Sequence, residues 1–209
     1  MQEIRKFFLL LMFLFQAYFF SFSNEYITDS FGTKIYEKKC SLKGGYELIV
    51  APIIIDNINS YIIVLEKDGN YKTLDIGIGF ADNFKYYPRV PNIDFSNYFF
   101  LEYFNGTLMY HIFSKETGKL MGVYKKGPVD IENELFISVT ENHVFLHDYV
   151  RNIEYNLSPY IENVGYEACI GFWNCISIDN VTDNEILLTY TGAYDKNGED
   201  IVYSFSIPR

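Results

Sequence analysis

The sequence predicts an all-β fold in which successive antiparallel strands form a meander. Its apolar segments are short, rich in Tyr, Phe, Ile and Val, and closed by turn residues, a pattern typical of strands. No segment of helical length repeats apolar residues at i, i+3, i+4 and i+7, and Gly and Pro interrupt the chain too often for long helices. These three observations favour strands over helices throughout the chain.

The expected strands occur in pairs around recognisable turns. Asp68-Gly69 lies between the apolar segments of Tyr61–Gly77 and is a strong hairpin signal. The segment before it, Tyr46–Ile55, ends at a polar break over residues 56–60. Further turns are expected at Asn105-Gly106, Thr117-Gly118, Glu141-Asn142 and Asn197-Gly198. Because the links are short, strands that are neighbours in the sequence should be neighbours in a sheet.

The N-terminus has the features of a secretory signal peptide, residues 1–23. Arg5 and Lys6 precede an apolar run from Phe7 to Phe20, and small residues lead to an expected cut before Asn24. An uncleaved membrane anchor is the alternative, but a run of about 14–16 residues is shorter than the roughly 20 that span a bilayer. We therefore expect a secreted or periplasmic protein with a single β-rich domain, residues 24–209.

The charge balance bears on the class of partner. The formal net charge is −10, which opposes non-specific binding to nucleic acid or anionic lipid. No nucleic-acid partner is expected, and membrane contact is expected only through the signal segment if it stays uncleaved. The simplest interpretation of the acidic composition is that the negative charge keeps the protein soluble.

A spacing of 37 residues separates the strand-opening segments at Tyr61, Tyr98 and Leu135. Residues 98–138 also resemble one blade of a PQQ-type β-propeller, with Gly106 and Leu108 followed by the Thr-Gly-Lys turn, residues 117–119. The resemblance implies a small β-propeller-like architecture, and a β-sandwich is the alternative. Nothing of a quinone site is carried over by this resemblance, and no cofactor is expected.

The histidines and short motifs give no catalytic signature. His143 and His147 share a face of a strand but lie roughly 13 Å apart at about 3.3 Å per residue, too far for one metal ion. No metal site is therefore expected. Asp148 would point to the opposite face from its neighbour His147, so no acid–histidine pair is expected there. Motifs for serine, zinc or phosphate chemistry are absent from the sequence.

Three cysteines leave several pairings open. Cys169 and Cys175 enclose five residues, a spacing unlike that of redox or zinc motifs. A bridge between them requires a turn inside the loop, and would contribute only about 2 kcal/mol. A long bridge from Cys40 to either of them, or three thiols, are the alternatives. Our leading hypothesis joins Cys169 to Cys175 and leaves Cys40 outside the bridge.

The sequence leaves three functions open, and it does not identify the catalytic residues of any of them. The first is a non-catalytic binding protein for an unknown protein, small molecule or glycan, with Phe172 and Trp173 as ligand contacts and Tyr86 and Tyr87 on another loop. Core packing is the alternative role for these rings. The second is an extracytoplasmic hydrolase with paired carboxylates, drawn from Asp94, Asp130, Glu132 and Asp148. The third is a structural subunit of an envelope assembly that pairs through a sheet edge.

Overall fold

The computed structural model describes residues 26–28, 34–78, 89–105, 107–140, 143–161, 175–194 and 200–209. The chain forms two compact units, Met1–Val90 and Pro91–Arg209. All described residues fall within the expected domain, 24–209, whereas the expected signal peptide, 1–23, lies outside them. The fold is all-β with antiparallel meanders, which confirms the predicted fold class.

The first unit contains a short hairpin and a four-stranded antiparallel meander. The hairpin pairs β1 (Tyr26–Thr28) with β2 (Lys34–Tyr36). The meander runs in sequence order through β3 (Lys38–Leu42), β4 (Tyr46–Ile55), β5 (Ile58–Lys67) and β6 (Asn70–Ile78). Each strand of the meander therefore lies beside its neighbours in the sequence, as the short links predict.

Two-residue turns set the register of this meander. Asp68 and Gly69 have φ values of 50° and 76°, and Asp56 and Asn57 have φ values of 50° and 64°. Positive φ at both positions matches the right-handed twist of the strands that a two-residue turn connects. The Asp68-Gly69 turn is confirmed. The expected break over residues 56–60 is shorter than predicted, because β5 already begins at Ile58.

The central strands of this meander bury the same face. Leu48 and Val50 on β4 stand opposite Leu65 and Ile63 on β5, and all four side chains are buried. Successive side chains of a strand point to opposite faces, so these alternate positions form one continuous apolar surface. Burial of that surface is the main source of stability for this sheet.

The described residues of the second unit form three antiparallel sheets and one helical turn. In sequence order, the first has β7 (Arg89–Asp94), β8 (Tyr98–Asn105), β9 (Thr107–Ser114) and β10 (Leu120–Lys125). The second has β11 (Val129–Asp130), β12 (Leu135–Val139), β13 (Val144–Asp148) and β14 (Ile153–Asn156). After α1 (Ser158–Ile161), the third has β15 (Ile176–Val181), β16 (Glu185–Tyr194) and β17 (Asp200–Pro208).

The three sheets of the second unit stack face to face, with the β11–β14 sheet in the middle. Ile137 and Leu146 on one face of this sheet share a buried core with Leu188 of the β15–β17 sheet. Phe136 on the other face packs edge-on against Phe100 of the β7–β10 sheet. Because both faces are covered, four consecutive residues of β12 are buried instead of alternate ones. No described helix has the length and apolar character needed to cross a membrane.

Candidate functional site

The binding loop expected from the sequence lies outside the described residues. Cys169, Phe172 and Trp173 all fall in the range 162–174, and the second expected aromatic pair, Tyr86 and Tyr87, falls in the range 79–88. The roles assigned to these residues therefore remain predictions.

The two described cysteines have different surroundings. Cys175 is buried immediately before β15, where its carbonyl oxygen accepts a hydrogen bond from the Thr191 N–H at 2.7 Å. Cys40 is not disulfide-bonded, and its thiol lies 3.7 Å from the Ser41 carbonyl oxygen. This state of Cys40 fits the hypothesis that places it outside the bridge. Pairing of Cys175 with Cys169 stays a prediction.

Asp94, one of the four carboxylates considered for a hydrolase, forms an ion pair inside the second unit. Its Oδ1 lies 2.6 Å from the Nζ of Lys115, whose side chain is only 1% exposed. Lys115 Nζ also donates to the Phe95 carbonyl oxygen at 2.6 Å. A buried ammonium group requires such an anionic partner, so Asp94 stabilises a charge that the fold encloses.

Asp148 holds the turn that follows β13 and the C-terminal residue. Its Oδ1 accepts hydrogen bonds from the N–H groups of Val150 and Arg151 at 3.1 Å and 2.9 Å. Its Oδ2 accepts a hydrogen bond from Arg209 Nε at 2.9 Å. Both oxygens of this buried carboxylate are thus engaged in structural contacts.

Asp130 stabilises the turn after β11 in a similar way. Its Oδ1 accepts hydrogen bonds from the N–H groups of Glu132 and Asn133, both at 3.0 Å, and its Oδ2 accepts one from Asn133 Nδ2 at 2.7 Å. Aspartate commonly stabilises a turn in this way. The Glu132 residue is exposed on that turn. Asp94, Asp130 and Asp148 therefore each have a structural partner.

A different set of polar side chains comes together on three neighbouring strands of the β11–β14 sheet. Ser138 Oγ on β12 lies 2.7 Å from His147 Nε2 on β13. His147 Nδ1 lies 3.2 Å from Glu154 Oε2 on β14. His147 stands directly opposite Glu154 in the register, and Ser138 is diagonal to it because Ser138 is opposite Phe145. We call these three residues the serine–histidine–glutamate array.

The hydrogen-bond directions in the array follow from the chemistry of its members. A carboxylate only accepts, so Nδ1 of His147 carries the proton and donates to Glu154, and Nε2 accepts from the Ser138 hydroxyl. Burial lowers the pKa of His147, and the negative charge of Glu154 opposes this only in part. The imidazole is therefore neutral at neutral pH, with both nitrogens engaged.

Aromatic rings surround the His147 end of the array, whereas the Glu154 side chain is 54% exposed. The His147 ring stacks on Phe136, with centroids 5.8 Å apart, and lies 5.3 Å from the ring of Tyr124 on β10. Tyr149 lies 6.1 Å away on the same side. Burial, followed by smaller charge effects, raises the pKa of Tyr124 and of Tyr149. These shifts indicate a poorly hydrated setting.

The array has the residue order of a hydrolytic triad, but a substrate cannot reach its serine. A nucleophilic serine, a histidine base and an orienting carboxylate are joined in that order. The attacking oxygen must nevertheless approach a substrate carbon to about 3 Å, and Ser138 is 0% exposed in the interior of a strand between two sheets. This geometry suits a structural hydrogen-bond network that runs from a buried serine to an exposed glutamate, and the serine is not presented to a substrate.

This array was not predicted from the sequence. Only the adjacent Asp148 was considered as an acid partner for His147; it was expected to point to the opposite face, and it contacts Arg209 instead. The expectation was incomplete, because the partner carboxylate is Glu154 on the next strand. A turn over residues 149–152 pairs Asp148 with Ile153. His147 and Glu154 are the next pair outward from Asp148 and Ile153. Recognition of this turn in the sequence would therefore have placed His147 opposite Glu154.

The first unit contains a separate open pocket of about 310 Å³ beside the β5–β6 turn. Lys67 Nζ lies over the Tyr46 ring, 4.3 Å from its centroid, so one face of the ring is already covered. The pocket is lined by Tyr46, Leu65, Lys67, Asp68, Asn70 and Lys72. Among the described residues, no group of three or more His, Cys, Asp or Glu side chains could hold a metal ion.

Comparison with known proteins identifies no relative of this chain. No family model, no curated protein and no solved structure matches the chain.

Proposed function

We propose that this chain is an exported, non-catalytic interaction protein, in which stacked β-sheets support a short aromatic binding loop. Export is motivated by the basic start and apolar run of residues 1–23, and the loop by residues 169–175. The partner would be a protein, or a small molecule or glycan with an apolar face. Nucleic acid is disfavoured by the net charge of −10.

The commitment of reactive side chains to structural contacts supports the non-catalytic part of this proposal. Asp94 pairs with Lys115, Asp148 holds Arg209 and its own turn, and Ser138 is enclosed with its histidine. A catalytic group must reach its substrate within hydrogen-bond distance. These groups instead stabilise the fold around them.

The loop between Cys169 and Cys175 is the proposed contact. A bridge between the two cysteines would close about seven residues and contribute roughly 2 kcal/mol in the chain-entropy model. Its larger effect would be to reduce the conformational entropy that Phe172 and Trp173 lose on binding. Tryptophan is enriched among the residues that dominate binding energy, which makes Trp173 the position to test.

A capture experiment tests the binding role. The purified exported chain is cross-linked to the extracellular or envelope fraction of its source cells and applied in parallel to a glycan array. Trp173→Ala should lose the captured partner or glycan while its thermal midpoint stays unchanged. Tyr36→Ala, which removes an exposed ring from the first unit, should keep both. A lower midpoint for Trp173→Ala with unchanged capture would place this ring in the core and contradict the proposal.

The second candidate is a hydrolase that uses the serine–histidine–glutamate array, and the hydrogen-bonded order of the three groups favours it. Burial of Ser138 opposes it. Hydrolysis of p-nitrophenyl acetate that disappears in Ser138→Ala, with folding retained, would favour this candidate over the first. Equal and negligible rates for both proteins would favour the first.

A further inference from the structure

The outer edge of β17 has the properties of a site for strand pairing. β17 is the terminal strand of its sheet, and among the described residues its strand partner is β16. In an antiparallel strand, about half of the backbone N–H and C=O groups point away from the paired neighbour. The segment 201–208 is about 26 Å long at roughly 3.3 Å per residue, which is sufficient for a stable ladder.

The outer face of this strand is accessible, and its inner face is accessible at Tyr203. Val202 and Ser204 on the outer face are exposed, and Tyr203 on the face toward the core is 41% exposed. Phe205 on that inner face is buried and stacks against Tyr160, with centroids 5.1 Å apart. A strand added beside β17 would therefore continue an apolar inner face and cover Tyr203.

The usual protection of sheet edges is missing from this segment. Charged side chains, short length and bulges prevent unwanted pairing at natural edges. The edge strand β10 contains Lys125 and has a register shift between Leu120 and Gly122, and β14 is four residues long and includes Glu154. From residue 201 to residue 208, β17 has no charged residue; Asp200 begins the strand, Pro208 ends it, and the register shift of this ladder lies on β16 between Thr191 and Ala193.

An uncharged antiparallel edge is complementary to itself, so a second copy of this chain can supply the partner strand. Each chain has a net charge of −10, so two copies repel each other, and an uncharged contact adds no further like-charge pairs to this repulsion. Antiparallel pairing of an edge with itself satisfies a two-fold axis. Across that axis, uncharged residues face uncharged residues along the whole segment, and the Tyr203 rings can contribute cross-strand contacts.

We propose that β17 pairs antiparallel with β17 of a second copy of this chain, joining the two three-stranded sheets into one continuous sheet. This contact uses neither the loop 169–175 nor the array, so it stands independently of the proposed function. Higher salt should strengthen the dimer, because salt screens the repulsion between the two acidic bodies and leaves the uncharged contact intact.

Sedimentation velocity of the purified exported chain tests the proposal from about 1 to about 100 μM, at low and high salt. The native chain should form a dimer that is tighter at high salt. The double variant Val202→Lys with Ser206→Lys should raise the dissociation constant at least about tenfold, because it places like charges across the two-fold axis. Val150→Lys, an exposed position in the β13–β14 turn, controls for added charge and should remain dimeric.

The variant Leu187→Lys tests whether a lysine must lie on the edge strand, or only on the same exposed face of the sheet, to weaken the dimer. Leu187 lies on β16 opposite Ser206, on the same exposed face but not at the edge, so this variant should also remain dimeric. If the double variant fails to fold, hydrogen exchange of the native chain supplies the test: amides of 201–208 should exchange more slowly as concentration rises. A native chain that stays monomeric, a dimer that survives the double variant, or exchange independent of concentration would overturn the proposal.

Discussion

Buried polar side chains of the second unit each meet a complementary partner. The Ser158 hydroxyl accepts a hydrogen bond from the Val144 N–H at 3.0 Å, the Lys115 ammonium meets Asp94, and His147 lies between Ser138 and Glu154. A buried polar group without a partner costs about 1–3 kcal/mol. Single substitutions at these residues should therefore act mainly by lowering the free energy of unfolding, and should change the surface of the protein little.

His147 should make stability depend on pH. Its pKa in the folded state is lowered below the ordinary 6.5, so the unfolded chain binds a proton more readily than the folded chain. The contribution of His147 to the free energy of unfolding is fully present above about pH 6.5, and is lost as pH falls through the folded pKa. Urea midpoints should decrease as pH is lowered below about 6.5.

Two variants identify the residue responsible for this effect. His147→Gln should flatten the pH dependence, whereas His143→Gln, which changes an exposed ring just before the same strand, should leave it intact. A midpoint that rises on acidification, or the same slope in His147→Gln as in the native chain, would contradict the lowered pKa.

The ion pair of Asp94 and Lys115 should behave as a coupled unit. Asp94→Asn removes the negative charge that lies 2.6 Å from a buried ammonium and should lower the free energy of unfolding by about 3–5 kcal/mol. Adding Lys115→Met to it should recover most of this loss, because the double variant removes both charges. Chemical unfolding of the two single variants and the double variant gives the coupling energy, and strictly additive losses would show that the pair is not coupled.

At the scale of elements, local turn chemistry was predictable and register was not. Asp68-Gly69 and Thr117-Gly118 form turns as expected, since positive φ at each glycine is a local preference. The stacking of Phe136 on the neighbouring sheet and the contact between His147 and Glu154 depend on residues brought together by several strands. No pattern within one strand encodes such contacts, and neither β14 nor the turn before it was expected, so the candidate array was missed.

Gly127, in the link between β10 and β11, should be intolerant of a side chain. A Cβ at this position would lie 2.0 Å from the carbonyl oxygen of Ile137, a backbone atom that cannot move without disturbing β12. Gly127→Ala should therefore reduce the free energy of unfolding by about 1–3 kcal/mol. Lys125→Ala, an exposed change two residues earlier, is the matched control. Thermal unfolding of both variants checks the prediction, which equal midpoints would refute.

The cysteine loop provides a second test at this scale. Peptide mapping of the purified chain without reduction should recover Cys169 and Cys175 in one cross-linked peptide, with Cys40 alkylated separately. This outcome follows from the spacing of the first two and from the observation that Cys40 is not disulfide-bonded. Recovery of Cys40 in a cross-linked peptide would end the hypothesis of the short bridge.

At the scale of the whole chain, the all-β meander was predictable because it follows from composition and from the order of the turns. The division into two compact units, at Val90 and Pro91, has no comparable signal, since short links join strands on both sides. The resemblance of residues 98–138 to a propeller blade remains a prediction. Four-stranded meanders in sequence order, in both units, are compatible with it.

Intact mass spectrometry after treatment with a fluorophosphonate tests most directly the claim that the chain is non-catalytic. This reagent modifies serines that are accessible and activated by a neighbouring base. Ser138 is hydrogen-bonded to His147 but enclosed between two sheets, so the folded chain should show no adduct. An adduct on the folded native chain that disappears in a folded Ser138→Ala variant would show an accessible nucleophile and contradict the proposed function.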